Sequence, residues 1–307
     1  MTKEKILSNL SPLQISEIIE FAEADAMLNL IPLVPPKFAR PFKVAAKKIG
    51  SVRVFMIPKL DSPFFNRISC LGMGEPATES MLDEAIGFLQ GAGCTNYMAQ
   101  VSPLAQPEKL PEWLVARGLK PSRNWIKVYR GDDPAPAIHT DLRLEKIDKD
   151  QADAFGGLLI ATFEVPSVLR PFMQGSVGQP NWHSYLGFSG NKPVSCASMY
   201  VNGEVAWLGN MGTLKEYRRH GAQGAMFARR IQDGLALGCK WFVTETGDDT
   251  PEDPNPSYHN MLRSGFTLAY KRINYVHQVP ASPLKLTSRA LFVAAYTLKF
   301  GLQRLHS

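Results

Sequence analysis

Between residues 11 and 29 apolar side chains recur at helical spacing, and Ile15, Ile18, Ile19, Phe21 and Ala22 predict a helix there. The proline-rich stretch 32–41 predicts a loop. Residues 52–57 and 66–72 read as strands, 76–92 as a helix with Pro76 at an early position, and 97–101 as a short strand. A helix over 110–117 is stopped by Gly118, and 124–129 reads as a strand. Gly131, Asp132, Asp133, Pro134, Ala135 and Pro136 then interrupt the pattern and mark a boundary.

A second round follows. Residues 142–144 read as a strand and 150–163 as a helix. Three strands come next, at 182–188, 194–201 and 205–211, joined by turns at Ser189-Gly190-Asn191 and Asn202-Gly203. A helix over 221–237 leads to a strand at 241–246, an Asp- and Pro-rich loop, a short helix at 257–264 closed by Gly265, and strands at 266–270 and 273–278. Alternation of this kind defines a mixed α/β chain.

The two rounds match. Gly93-Cys94 and Gly238-Cys239 each end a helix before a strand. Gly118 stands as far from Ile126-Lys127-Val128 as Gly265 stands from Ile273-Asn274-Tyr275. Landmarks in one order at near-equal spacing indicate duplication, giving an expected division into 1–133, 137–280 and a tail, 281–307.

Composition narrows the class. Hydrophobic content of 45% and charged content of 20% suit a globular chain with a sizeable core. Of the formal charge of +6, four come from Lys285, Arg289, Lys299 and Arg304, where no acid follows residue 280, leaving +2 for the rest. The basic balance is therefore local, and without aromatics interleaved among basic clusters a nucleic-acid partner is not expected. Cys70, Cys94, Cys196 and Cys239 are scattered, which points to neither disulfides nor a metal site. With no apolar leader at Met1 to Lys5, a cytoplasmic location is expected.

One segment carries chemistry. A strand at 205–211 runs through a short loop into Arg218-Arg219-His220-Gly221-Ala222-Gln223-Gly224-Ala225, which opens a helix. The first N–H groups of a helix lack intrahelical partners, and the helix dipole adds positive potential. Glycines let a phosphate approach the backbone, and the arginines add charge. The run has the makings of a pyrophosphate cradle. No Gly-Lys-Ser/Thr follows, so it is not a P-loop, and G-x-G-x-x-G is absent.

Arg218-x-x-Gly221-x-Gln223-Gly224-Ala225 resembles the coenzyme A signature of the GNAT family of N-acetyltransferases, R/Q-x-x-G-x-G/A. The stretch from Asn255 to Phe266, ending in Gly-Phe, is similar to that family's next helix. The resemblance covers 142–279 and extends to 1–130 through the repeat, implying a tandem member with a mixed, mostly antiparallel sheet flanked by helices. It departs from the pattern at Gln223, where a small residue is usual, and at Met261, where the family often has a tyrosine that protonates the departing thiolate. Tyr258 lies one turn earlier on roughly the same face.

The resemblance implies an acyl-CoA-dependent N-acyltransferase, acetyl-CoA the expected donor, in which an amine attacks the thioester directly and no metal takes part. Backbone groups of Met211, Gly212 and Thr213 would pair with pantetheine and supply a donor to the charge developing on oxygen. Arg219 to Gly224 would hold the pyrophosphate, with Arg218 and Ala225 also in the cofactor site and His220 a phosphate neighbour. Asn255 and Asn260 are candidates for the cofactor arm, Asn255 being equally suited to cap a helix. Tyr258 is the candidate acid. Glu245 is the candidate base or else a solvated strand-end carboxylate.

The first copy places Glu75 and Glu79, not arginines, at the corresponding helix start, which is the wrong sign for a phosphate. It is expected to be a degenerate copy that shapes the acceptor cleft or buries a shared interface. The acceptor, a small-molecule or peptide amine, would meet loops 165–181 and 247–256, the latter carrying Asp248, Asp249, Glu252 and Asp253. The apolar, basic stretch 284–305 suits a helix docked on the protein or a peripheral membrane contact. A non-catalytic acyl-CoA-binding sensor or scaffold is the alternative function.

Overall fold

The structure, a computed structural model, describes residues 10–279. The stretch 284–305 lies outside the described residues. The first half contains α1 (Pro12–Leu30), α2 (Pro36–Phe42), β1 (Ala45–Ile49), β2 (Val52–Met56), β3 (Asn66–Ser69), α3 (Glu79–Gly91), β4 (Tyr97–Val101), α4 (Leu110–Ala116), β5 (Lys120–Pro121) and β6 (Trp125–Arg130). The second contains β7 (Arg143–Ile147), α5 (Ala152–Phe163), α6 (Arg170–Met173), β8 (Trp182–Ser189), β9 (Lys192–Asn202), β10 (Val205–Trp207), β11 (Gly212–Thr213), α7 (Ala222–Ala236), β12 (Trp241–Gly247), α8 (Pro256–Arg263) and β13 (Thr267–His277).

All of these strands join one sheet, ordered β1-β2-β3-β4-β13-β6-β12-β10-β9-β8-β7, with β11 beside β9 and β5 beside β13. Pairing is antiparallel except at β3/β4 and β10/β12. The expected mixed, mostly antiparallel sheet flanked by helices, in two copies, is thus present.

The halves exchange their last strands. β6 of the first half lies against β12 of the second, and the far end of β13 lies against β4 of the first. β6 and β13 pair with each other antiparallel, with Trp125 opposite Arg272. Those two residues follow their respective helix-ending glycines, Gly118 and Gly265, by the same interval. A residue paired with its own repeat equivalent marks a pseudo-twofold axis, which runs between these strands.

Three of the five apolar clusters among the described residues show this layout. One packs α3 and α4 on the first half of the sheet, through Leu82, Leu89, Leu110 and Leu114. Another packs α7 on the second half, through Met226, Phe227, Ile231 and Phe242. A central cluster on the opposite face joins Ile19, Ala26 and Leu30 of α1 to Leu169, Phe172, Trp182, Trp207 and Val243. It unites residues of both halves.

Several local expectations differ from the structure. The stretch 32–41 is largely helical, with Pro36 at the start of α2 and Pro41 inside it, and β1 follows unannounced. The two strands expected after Gly265 are one strand with a register shift between Leu268 and Tyr270. The strand expected over 205–211 keeps regular pairing only to Trp207. Among the described residues no helix is long and apolar enough to cross a membrane.

Candidate functional site

β10 runs parallel to β12 as far as the Trp207–Val243 pair, and Leu208 N donates to Val243 O at 2.9 Å as the last rung. The chain then leaves β12. Gly209 has the Trp207 indole folded over it, so close that a Cβ would collide with the ring, and Asn210 adopts a left-handed conformation at φ +47°. β11 returns to pair with β9 only, Gly212 opposite Cys196 and Thr213 opposite Ser195. A wedge opens between β11 and β12. Leu214 N points to β9, donating to Val194 O at 2.9 Å, so ladder alternation turns Thr213 N–H toward the wedge.

Arg230 of α7 holds the segment 208–211, which bulges away from β12, in place from behind. It is fully buried and donates to Ser198 O at 2.9 Å, Met226 O at 3.1 Å and Gly209 O at 3.4 Å, and to Met211 Sδ at 3.3 Å. Burial lowers its pKa from the usual guanidinium value to about 10. On the other side Thr162 of α5 sits so close to Gly212 that no side chain fits there. Arg230 and Thr162 were not legible as site residues, since one reads as an ordinary charged position of a helix and the other as a core position.

The wedge ends at the start of α7. Arg219 and Gly221 are both left-handed, at φ +69° and +72°, and a Cβ on Gly221 would strike the His139 carbonyl. No side chain caps α7, as none caps α2, α4, α5 or α6, whereas Ser11 caps α1, Thr78 caps α3 and Asn255 caps α8. The helix thus presents first-turn N–H groups without a side-chain partner. Arg218, Arg219 and His220 are exposed beside it, Arg218 Nε donating to Thr213 O at 3.2 Å. Ala222 and Ala225 are buried, and Ile138 of the inter-half linker packs over Gly224. Thr140 Oγ1 donates to His220 O at 2.8 Å, so the linker braces the loop.

The Gln223 side chain lies against α8, donating to Ser257 Oγ and accepting from Asn260 Nδ2. This is how a long residue fits a position where a small one is usual. Asn260 is thereby engaged within the chain, its Oδ1 taken by Arg263. Asn255 caps α8, accepting from Ser257 N at 3.0 Å and donating to Gly247 O at 2.7 Å. Asn255→Ala is expected to cost about 1 kcal/mol, read as a lowered urea midpoint. Tyr258 is half-buried beside His259, and Met261 is buried in the cluster under α7.

Glu245 is neither solvated nor alone. Val243 and Glu245 share one face of β12, the face of the central cluster, while Thr244 turns to the opposite side and bonds Leu208 O at 2.7 Å. Glu245 is therefore the first residue of β12 on its face beyond the point where the strands part. It accepts from Trp207 Nε1 at 3.1 Å and Lys127 Nζ at 3.1 Å. Lys127 also donates to Glu23 at 2.8 Å, Arg67 donates to Glu23 at 3.1 Å, and Arg272 donates to Glu23 at 2.7 Å and Glu20 at 2.8 Å. Tyr270 Oη adds a bond to Glu20 at 2.8 Å. Three carboxylates thus meet three cations at the pseudo-twofold axis.

Burial, and then the charge of Glu23, push the Glu245 pKa up, against Lys127 and Arg272. Burial also opposes ionisation of Glu23, but Arg272, Lys127 and Arg67 together hold its carboxyl well below the usual range. Burial and Arg272 disfavour the Lys127 charge, yet Glu23, Glu245 and Glu20 outweigh them and raise its pKa.

The corresponding place in the first half is closed. Gln106 N donates to Gly72 O at 2.9 Å and Ala77 N to Gln106 O at 2.7 Å, stitching the loop after β4 across the approach to α3. Gly74 N donates to Glu17 at 3.0 Å, Ser51 N to Glu75 at 2.6 Å, and Thr78 caps α3. The acidic loop 247–256 is largely spent within the chain as well. Asp248 pairs with Lys271 at 2.8 Å, Asp253 with Arg123 at 2.6 Å, and Asp249 accepts from Asn255 N at 2.6 Å.

No protein-family model matches the sequence, and no curated protein matches it either. Solved structures do. A GCN5-related N-acetyltransferase from Kribbella flavida is 16% identical with a TM-score of 0.56, over 87% of this chain and 97% of that one. A tandem GNAT protein from the clavulanic acid biosynthesis pathway is 15% identical with a TM-score of 0.54, over 89% and 98%. A GCN5-related N-acetyltransferase from Sphaerobacter thermophilus is 11% identical with a TM-score of 0.54, over 87% and 93%. At these identities the likeness defines the fold. The chain has the acyl-CoA N-acyltransferase fold of GNAT proteins, in tandem.

Proposed function

We propose that the chain is an acyl-CoA-dependent N-acyltransferase, with acetyl-CoA as donor and an amine of a small molecule or peptide as acceptor. The observation that carries this reading is the wedge between β11 and β12, which opens onto an uncapped helix start flanked by Arg218 and Arg219. The same place in the first half is closed by Gln106 and made acidic by Glu75 and Glu79. In this reading residues 137–280 hold the donor and residues 1–133 frame the acceptor side.

When bound, acyl-CoA supplies an activated carbonyl carbon. The backbone of residues 219–224, the α7 dipole and the two arginines hold its pyrophosphate. Thr213 N–H, with the backbone of Met211 and Gly212, lines the wedge. α7 covers one face of the sheet and α1 packs on the other beside Val243; in this reading Glu245, on the α1 side where the strands part, takes the proton of the amine. In this reading Tyr258 protonates the leaving thiolate. Asn255 and Asn260 serve α8 and its junction with α7.

Isothermal titration with acetyl-CoA tests the donor site. Wild type is expected to bind, and Arg219→Asp to lose about ten- to a hundred-fold in affinity, the scale of a charge-assisted bond. Aspartate tolerates the left-handed conformation, so the loop survives the change. Absence of binding by wild type at millimolar acetyl-CoA would sink the reading. Burial of Met261 where an acid is usual favours one second reading, a non-catalytic acyl-CoA sensor. It predicts binding without thiol release across a panel of primary amines.

A further inference from the structure

Glu245 stands six residues after Cys239, and Gln100 stands six after Cys94. Lys127 and Asn274 stand at equal distances from Gly118 and Gly265. The repeat therefore makes Gln100 the counterpart of Glu245, and Asn274 the counterpart of Lys127. The register agrees: Glu245 lies opposite Lys127 across β12/β6, and Gln100 lies opposite Asn274 across β4/β13. One fold position, reproduced by the pseudo-twofold axis, holds a carboxylate and an ammonium in one copy and two neutral amides in the other. The amide pair is as buried as the charged one, with Gln100 at 1% and Asn274 at 3% exposure. The position is thus filled by uncharged side chains in the copy whose wedge is closed, where Gln100 Nε2 and Asn274 Oδ1 are buried without a hydrogen-bond partner among the described residues, and charge is present in the copy whose wedge is open.

We propose that Lys127, carried into the second half by the exchanged strand β6, is a positioning residue that orients Glu245 and keeps it ionised at the mouth of the wedge. The proposal rests on Glu245 acting as the base. Lys127 bonds both Glu245 and Glu23, so the first half reaches the reacting site through its own strand and through α1. Besides burial, the groups that set the charge state of Glu245 are Glu23 on α1, Lys127 on β6, Arg272 on β13 and the Trp207 N–H on β10, while Glu20 on α1 faces the same cluster through Arg272. Arg67 on β3 acts on it through Glu23. Loss of Lys127 removes the only cation that bonds Glu245 directly among the described residues. The carboxyl then keeps its proton to higher pH and fails to accept one from the amine at neutrality.

The decisive experiment is an NMR titration of glutamate side chains labelled at the carboxyl carbon, with Glu245 assigned by its loss in Glu245→Gln. Lys127→Met is expected to raise the Glu245 midpoint by about one to three pH units, and Lys127→Arg to leave it near the wild-type value. The acidic limb of kcat for acetyl transfer to the best amine of a panel is expected to move with it, with acetyl-CoA affinity unchanged. A Glu245 midpoint that does not respond to Lys127→Met overturns the proposal, as does a kcat limb that stays in place while the midpoint moves. If Lys127→Met does not fold, Lys127→Met with Glu23→Gln retains two cations against two carboxylates, and its midpoint is read against Glu23→Gln alone. Failure of wild type to bind acetyl-CoA would instead defeat the transferase reading, while the titration still reports on the pair.

Discussion

Glu23→Ala is expected to destabilise the protein by about 3–5 kcal/mol, the cost typical of removing one partner from a buried ion network. Glu23 accepts from Arg67, Lys127 and Arg272, drawn from three different strands, and it lies at 4% exposure. Its removal leaves three buried cations facing Glu20 and Glu245 only. Because α1 carries Glu23 while β13 carries Arg272 and β6 carries Lys127, the loss falls on the junction of the halves, and a two-step urea transition is the form it takes.

The pH dependence has a definite sign. The Glu23 carboxyl is held below the usual value of 4.5, so its contribution is full above that pH and is lost as pH falls through its folded value. Glu245 is shifted upward, so its contribution is full below the usual carboxylate pKa and declines as pH rises through its folded value. Acid should therefore open the junction through Glu23, beginning below about pH 4.5. Urea midpoints across pH 7 to pH 3 check this. A wild-type midpoint unaltered down to pH 3, or a Glu23→Gln profile as steep as wild type, would contradict it.

Much of the architecture was readable because it is locally encoded. Gly118 and Gly265 end helices, Asn202-Gly203 turns a hairpin, and the glycine and arginine run before α7 advertises an anion site on chemical grounds alone. The exchange of last strands was not readable. The residues of β6 and β13 have the same period whichever half they join, and pairing across the axis depends on contacts distant in sequence. The buried ion network was hidden for a related reason. Ser16, Glu20 and Glu23 fall on the same helical stripe as Ile19, Ala26 and Leu30. A polar residue on such a stripe looks like its solvent edge until a second half supplies Arg272 and Lys127. The placement of Glu245 followed from that network rather than from anything local to β12.

Arg230→Ala is expected to cost about 3–5 kcal/mol and to remove acetyl-CoA binding together with it. Arg230 meets no carboxylate among its hydrogen bonds, being held instead by the carbonyls of Ser198, Gly209 and Met226 and by the Met211 sulfur. Its removal leaves a large cavity behind the bulge and takes from the Ser198 and Met226 carbonyls a charged donor. Without that donor the segment 208–211 has less reason to stay away from β12, and the parallel ladder begun at Val205 to Trp207 is free to extend and shut the wedge. Arg230→Lys separates the two effects. A lysine retains the charge but cannot fork to several carbonyls at once, so it should recover part of the stability and little of the affinity. Urea denaturation and acetyl-CoA titration of the two variants measure this. If Arg230→Lys bound acetyl-CoA as wild type does, a buried positive charge alone, and not the forked bonding to the bulge, would account for the open wedge.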